Sequence, residues 1–148
     1  QCPLVLAGGE GWNDTELQMQ IQRALSAGWL KRFGYVPEAD LPALMAGARC
    51  FAFPSIYEGF GLPVLEAMAS GVPVVTSQVA SLPEVAQDCA QLVDPFNVDA
   101  IRTALHHAIE DDQWRARASA LGIQRAAAFS WDHTAQATAA IYRQLAAA

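Results

Sequence analysis

Residues 50–71 constrain this chain more than any other stretch. An apolar run, Cys50-Phe-Ala-Phe53, has the length and hydrophobicity of a buried strand. Gly59 and Gly61 then break the chain's direction, Pro63 follows, and an apolar helical pattern runs on to Gly71. The segment therefore reads as a strand, a glycine turn and a helix N-terminus. One carboxylate, Glu58, precedes the glycines, and another, Glu66, lies about one turn into the helix.

The flanking sequence extends this unit in both directions. Residues 3–7 form a short apolar run that ends at Gly8-Gly9, a strand and its turn. Asn13 or Asp14 caps the next helix, with Glu16 in its first turn and Leu17, Ile21 and Leu25 on one face; Gly28 ends it. Residues 29–33 are a second strand and residues 35–37 a loop. A helix marked by Leu41, Leu44, Met45 and Ala48 begins near Asp40 and Pro42. After the central segment, residues 71–76 read as turn and strand, with Pro73 at its first position. Ser81-Leu-Pro-Glu84 has the form of a capping box opening a very short helix. Residues 90–93 are a last strand, closed by Asp94-Pro95. The rest is helical, with Val98, Ile101, Leu105 and Ile109 on one face and Ile141, Tyr142 and Leu145 as buried positions near the end. The final alanines are expected to fray.

Strands alternate with helices and lack polar alternation, which argues for a parallel sheet covered on both faces. The expected fold is α/β: a Rossmann-like parallel sheet of about five strands flanked by helices, with a C-terminal helical tail. In such sheets ligands bind beyond the carboxyl ends of the strands. Gly8-Gly9, residues 34–36 and residues 57–61 are all such ends, so three turns are expected on one rim.

Composition narrows the function. A length of 148 residues suits one domain, and 53% hydrophobic content is ample for a core. The longest apolar runs fall far short of the roughly 18 residues a membrane helix needs. No basic segment followed by an apolar one opens the chain, so no signal peptide is expected, and a strand entered at once suggests a piece of a larger protein. The formal net charge is -6 with no basic cluster, which argues against nucleic acid as a main partner. Cys2, Cys50 and Cys89 are odd in number and widely spaced, neither a disulfide framework nor a zinc site, and Cys50 reads as a buried thiol. A cytoplasmic location is the simplest reading.

The glycine turn can take an anion. Glycines allow positive φ and close approach of a ligand to the backbone, and the free amides of a helix start point at it. Glu58 can accept hydrogen bonds from sugar hydroxyls, and Glu66 can accept two from a ribose diol. A nucleoside diphosphate sugar would satisfy all three elements. The bland alternatives are that Glu66 compensates the helix dipole, that the glycines serve only the turn, and that the anion signal is generic to doubly wound folds.

Glu58-Gly-Phe-Gly-Leu-Pro-Val-Leu-Glu66-Ala-Met-Ala-Ser-Gly-Val-Pro-Val-Val75 resembles the signature of the family 4 glycosyltransferases, the retaining GT-B enzymes (group 1 glycosyltransferases, mannosyltransferases among them). Phe33-Gly-Tyr-Val-Pro37, Leu41-Pro-Ala-Leu44, Phe53-Pro-Ser55, Ser81-Leu-Pro-Glu-Val85, Val93-Asp-Pro95 and Phe129-Ser-Trp-Asp132 follow in that family's order and spacing. The resemblance covers nearly the whole chain. It implies the donor-binding C-terminal domain of an enzyme that transfers a hexose from a GDP- or UDP-linked sugar to a glycan or lipid-linked acceptor. Glu58 would contact the donor sugar near the reacting carbon as the catalytic residue. The backbone of Gly59, Phe60, Gly61 and Leu62 would face sugar and diphosphate, Glu66 would hold the ribose, and Tyr35 and Val36 would border the nucleobase. No metal and no resident cofactor are implied.

The departures are as informative. The family carries an Arg and a Lys, which neutralise the diphosphate, in a strand and turn ahead of the segment where this chain opens, and Lys31 and Arg32 sit in a different strand. The family's first strand and its N-terminal acceptor domain have no counterpart here. The chain alone is therefore expected to be inactive and to bind donor weakly, and its sheet edges to favour self-association. Peripheral contact with the inner membrane face is expected only of a full-length protein. Among the other residues, His106 and His107 read as a solvated or partly packed pair and His133 as helix-end packing. Trp12 is placed on the acceptor side, and Trp29, Trp114 and Trp131 are placed in packing. Two rival functions are a nucleotide-sugar epimerase of GT-B architecture, which would lack the Glu58–Glu66 pairing, and a degenerate nucleotide-binding module.

Overall fold

The computed structural model describes residues 2–9, 11 and 14–146. Trp12, Asn13 and the last two alanines lie outside them. The chain forms two compact units, residues 1–44 and 45–148.

In the first unit β1 (Leu4–Ala7) and β2 (Leu30–Phe33) pair in parallel, Leu4 beside Leu30 and Ala7 beside Phe33. A parallel pair needs a crossover, and α1 (Thr15–Ser26) supplies it. Asp14 is its cap: the carboxylate accepts from the amides of Glu16 at 2.9 Å and Leu17 at 3.3 Å. The buried face of α1 is narrower than the periodicity implies. Ala24 is buried and Ile21 and Leu25 are half-buried, but Leu17 is exposed, because two strands are too narrow a surface to cover three turns of helix. The Gly8 amide donates to the Gly34 carbonyl at 3.0 Å, so the turns after β1 and β2 lie side by side. The six-residue α2 (Leu41–Ala46) then leads into the second unit.

The second unit holds β3 (Phe51–Phe53), β4 (Val74–Ser77) and β5 (Ala90–Val93), parallel in the order β3-β4-β5. Phe51 lies beside Val74, and Val74 beside Ala90. Five strands were expected and five form, all paired in parallel, two in the first unit and three in the second. Hydrophobic runs reveal strands; they do not specify pairing. Each bonded pair here is consecutive in sequence and spanned by helix. Burial on both faces holds for β4, where all four residues are inaccessible, but not for β1, where Leu4 and Val5 are exposed.

Helix α3 (Leu62–Ala69) crosses from β3 to β4 and buries Val64, Ala67 and Met68. Full burial of a Val- or Met-sized side chain contributes roughly 1.5–3 kcal/mol. The short α4 (Leu82–Ala86) and a 3-10 turn cross from β4 to β5. Helices α5 (Val98–Glu110), α6 (Asp112–Ala127) and α7 (Trp131–Ala146) follow. Gly122 lets α6 approach α3 closely, since a Cβ there would meet Met68 Cγ at 3.3 Å. On the other side Val75, Val93, Ala104 and Ala108 form a core cluster against which Cys50, Ile101, Leu105 and Trp114 pack.

Several expected core positions are on the surface. Val98 is exposed because it is the first residue of α5, directly after its cap Asn97, and the contact is made by the alanines further along. Ile141, Tyr142 and Leu145 are exposed, and α7 buries no residue at all. A periodic stripe identifies a helix face without supplying the surface that covers it. Trp131 on α7 is exposed for the same reason, Trp29 in the bend before β2 is exposed as well, and Trp114 alone of the three packs as expected, its ring 5.3 Å from that of His107. His106 is exposed and His107 half-buried, consistent with a partly packed pair, and the His133 amide donates to Ser130 Oγ at the start of α7.

Asp111 caps α6 with its carboxylate, which accepts from the Trp114 amide at 2.7 Å and lies 3.4 Å from His107 Nε2. The Trp114 amide first, and then the His107 and Arg117 charges, hold the Asp111 carboxyl below its ordinary range against a partial desolvation. A depressed native pKa means that its contribution to stability is complete above the unfolded-state value of about 3.9 and is lost as pH falls through the native value. Asp111→Asn keeps an acceptor for the cap but removes this titration. Thermal melts between pH 7 and pH 2.5 should show a shallower loss of Tm in the variant; an acid limb identical to wild type would refute the assignment.

Candidate active site

The turn after β3 is fixed before any ligand arrives. Thr76 Oγ1, fully buried on β4, donates to the Phe53 carbonyl at 2.9 Å and secures the end of β3. Two residues on, Ser55 Oγ donates to Glu58 Oε1 at 3.0 Å. Glu58 is half-buried and its carboxylate is thereby held over its own loop. The Ser-x-x-Glu spacing of residues 55–58 is a signal the sequence reading passed over, having recognised the same pattern only at residues 81–84.

At residues 81–84 the expected capping box does not form. Ser81 makes no side-chain cap bond to α4. Its hydroxyl instead donates to the carbonyls of Glu58 and Phe60, each at 2.9 Å, as one proton shared between two acceptors. Ala80 just before it takes a left-handed backbone, φ 55°, at a cost of roughly 1–2 kcal/mol for a residue with a Cβ. Leu82, with no accessible surface, lies against Gly61.

The two glycines differ. Gly61 has φ 99° and ψ 42° as the cap of α3, and a Cβ there would fall 2.7 Å from Leu82 Cδ2. Gly59 does not use the positive φ that glycine allows, and a Cβ there would meet nothing within 4 Å. The turn completes its reversal at one residue, so only one needs the conformation that glycine allows. The Gly61 carbonyl accepts from the amides of Val64 and Leu65, and Pro63 sits in the first turn. Phe60 is fixed through its ring, edge-on to Phe129 at 5.7 Å. The Arg125 guanidinium lies 4.6 Å over Phe129 and donates to the carbonyls of Glu84 and Val85 at 2.7 and 3.0 Å. Nothing in the local sequence marks Ser81, Arg125 or Phe129 as partners of this turn.

Glu66, in the second turn of α3, is exposed, and its carboxylate accepts no hydrogen bond from a described residue. Leu62 is partly exposed at the helix start. Within the second unit the structure therefore brings together Glu58, Gly59, Phe60, Gly61, Leu62 and Glu66. Tyr35, exposed, and Val36, half-buried, follow β2 in the first unit. Lys31 and Arg32 are in β2, where Arg32 Nη1 contacts Gln18 Oε1 at 3.4 Å. No arginine or lysine among the described residues hydrogen-bonds to a side chain of residues 55–66. Two open depressions of about 500 and 610 Å³ lie elsewhere, on α5 and β5 around His107, and include no residue of the turn.

The family model described as glycosyl transferases group 1 matches residues 1–125. The chain belongs to the group 1 glycosyltransferases. This group 1 glycosyltransferase chain is 48% identical to the O-antigen chain mannosyltransferase B of Escherichia coli over 97% of its own length, and it spans 38% of that relative. Among solved structures it superposes on the sucrose-phosphate synthase of Thermosynechococcus elongatus with a TM-score of 0.84 at 27% identity, covering 97% of this chain and 38% of that one. It superposes on the Anabaena protein HepE, solved with UDP and glucose, with a TM-score of 0.83 at 26% identity, covering 95% and 40%. The α/β architecture with parallel sheets is thus that of part of a GT-B glycosyltransferase.

Proposed function

We propose that this chain is the donor-side domain of a retaining hexosyltransferase, with mannose as the first candidate sugar, acting from a nucleoside diphosphate sugar onto a glycan or lipid-linked acceptor. The observation that carries the reading is the fixed turn: a carboxylate held by Ser55, followed by a left-handed glycine at a helix start, then a second, unoccupied carboxylate one turn later. Its support is the 48% identity to a mannosyltransferase and the superposition on a protein solved with UDP and glucose.

In this reading the amides of Gly59, Phe60, Gly61 and Leu62 face the donor's sugar and diphosphate, which needs no metal at the site. Glu66 accepts two hydrogen bonds from the ribose diol. Tyr35 and Val36 border the base. Transfer breaks the bond between the anomeric carbon and the phosphate oxygen and forms one to the acceptor oxygen on the same face, the acceptor proton leaving to the departing phosphate. Glu58 stabilises the positive charge that develops at the sugar. The cations that offset the diphosphate belong to the full-length protein, so this chain alone is inactive. The full-length protein acts at the cytoplasmic side of the inner membrane.

Calorimetric titration with GDP-mannose and UDP-glucose tests the reading. The full-length protein should bind one of them at micromolar concentration, and residues 1–148 alone should not; micromolar binding by this chain would overturn the half-site reading. Glu66→Ala in the full-length protein should raise the donor Kd about 10- to 100-fold, the loss expected for charged hydrogen bonds of roughly 1.5–3 kcal/mol. An unchanged donor Kd in that variant would remove Glu66 from the site.

A further inference from the structure

We propose that Ser81 is a positioning residue for transfer, orienting the two glycine amides of the donor turn through their peptide planes. The proposal deepens the donor-site reading above and rests on it. No peptide bond among the described residues is cis. In a trans peptide the carbonyl of one residue and the amide N–H of the next point in opposite directions. The Ser81 hydroxyl takes the Glu58 carbonyl and the Phe60 carbonyl, both at 2.9 Å. The N–H groups of Gly59 and Gly61 are therefore both directed away from Ser81, and neither has a partner among the described residues. One hydroxyl thus fixes the planes of two peptides of the glycine turn and leaves their amides turned away from Ser81, available to oxygens of a donor.

Three further observations show that Ser81 is placed for this task rather than for the helix it opens. Ser81 gives no side-chain cap to α4. Ala80 holds a left-handed backbone, φ 55°, immediately before it. Leu82 immediately after it presses on Gly61, so residues 80–82 dock onto residues 58–61 as a unit. Strained backbone of this kind persists where the surroundings over-determine it, and it gathers at ligand sites. The serine reaches the turn across 23 residues of chain, so the loop after β4 and the turn after β3 are set together.

The experiment uses the full-length protein with the nucleotide sugar that titrates with it, and measures kcat, donor KM, acceptor KM and Tm for Ser81→Ala and Ser81→Thr. Ser81→Ala should lower kcat/KM for the donor about tenfold, the effect of losing one well-placed hydrogen bond to the backbone, with acceptor KM unchanged. Ser81→Thr, which keeps the hydroxyl, should restore the value to within about threefold. Backbone 15N order parameters of residues 58–61 in Ser81→Ala should fall while those of the rest of the second unit are unaffected, a readout that stands whether or not threonine fits. A donor kcat/KM within twofold of wild type in Ser81→Ala, or unchanged order parameters in residues 58–61, would overturn the proposal. Glu66→Ala separates the two levels. If it leaves donor binding intact, the donor-site reading itself fails; if it weakens binding while Ser81→Ala changes nothing, only the role of Ser81 fails.

Discussion

Glu58→Gln in the full-length protein should lower kcat by on the order of 10²–10³-fold while leaving Tm within about 2 °C of wild type, because the substitution removes a charge aimed at the transition state and little else. Glutamine keeps the length of the side chain and an oxygen that can accept from Ser55 Oγ, the contact now made at 3.0 Å. The loop conformation also rests on backbone groups: the Glu58 carbonyl is held by Ser81 whatever side chain the residue carries. What changes is the negative charge at the point where the anomeric carbon becomes electron-poor as its bond to phosphate breaks. A mutation that removes an interaction made only in the transition state lowers kcat and kcat/KM together and leaves donor KM near its original value. Steady-state kinetics with saturating acceptor, paired with thermal melts, would decide it. A kcat within threefold of wild type would show that Glu58 is a loop residue fixed by Ser55 and not a participant. Glu58→Ala, which removes the Ser55 contact as well, should show the same loss in kcat with an added loss in Tm. The difference between the two variants isolates the structural part of Glu58's role from the chemical part.

The parts of the molecule that were legible in the sequence are those written in local chemistry. Short runs bounded by turn residues mark the strands, with Gly8 after β1, Gly34 after β2, Pro54 after β3, Gly71 and Pro73 before β4, and Asp94-Pro95 after β5. Asp14 could be seen as a cap because the residue itself makes the hydrogen bonds that start α1. The carboxylates and glycines of the turn were visible because they lie within nine consecutive residues. What was not legible depends on groups distant in sequence. Ser81 looks like a helix cap, and every local rule assigns it to α4, yet a carbonyl 23 residues upstream accepts its hydrogen bond. Phe129 and Arg125 reach Phe60 and the end of α4 from the far side of the unit. Surface exposure of Val98, Ile141, Tyr142 and Leu145 is the same lesson in another form: a helix's apolar stripe says which side seeks cover, and only the neighbours determine whether cover is there.

The two glycines of the turn look equivalent in the sequence, and substitution should separate them sharply. Gly61→Ala meets two independent penalties. The residue has φ 99°, and an L side chain in a left-handed backbone costs roughly 1–2 kcal/mol. Its Cβ would also lie 2.7 Å from Leu82 Cδ2, closer than carbon atoms approach, and Leu82 has no exposed surface into which to retreat. Overpacking of that kind costs typically about 1–3 kcal/mol. The two add to about 2–5 kcal/mol, which at roughly 2–4 °C per kcal/mol corresponds to a fall in Tm of roughly 4–20 °C. Gly59→Ala meets neither: its backbone is not left-handed and the space around the new Cβ is empty to 4 Å. Its Tm should stay within about 2 °C of wild type, the range of an ordinary surface change. If the empty space beside Gly59 is where donor lies, Gly59→Ala should nonetheless weaken donor binding, so that one glycine governs stability and the other recognition. Melting curves and donor titrations on the same pair of variants test both halves at once. Equal Tm losses would mean that the turn's strain is shared between the two residues. The Leu82 contact can be checked separately. With Leu82→Val measured alone and in the Gly61→Ala background, the coupling between the two substitutions gives the clash, and the Gly61→Ala loss beyond that coupling is the cost of the left-handed backbone, since shortening Leu82 leaves φ untouched.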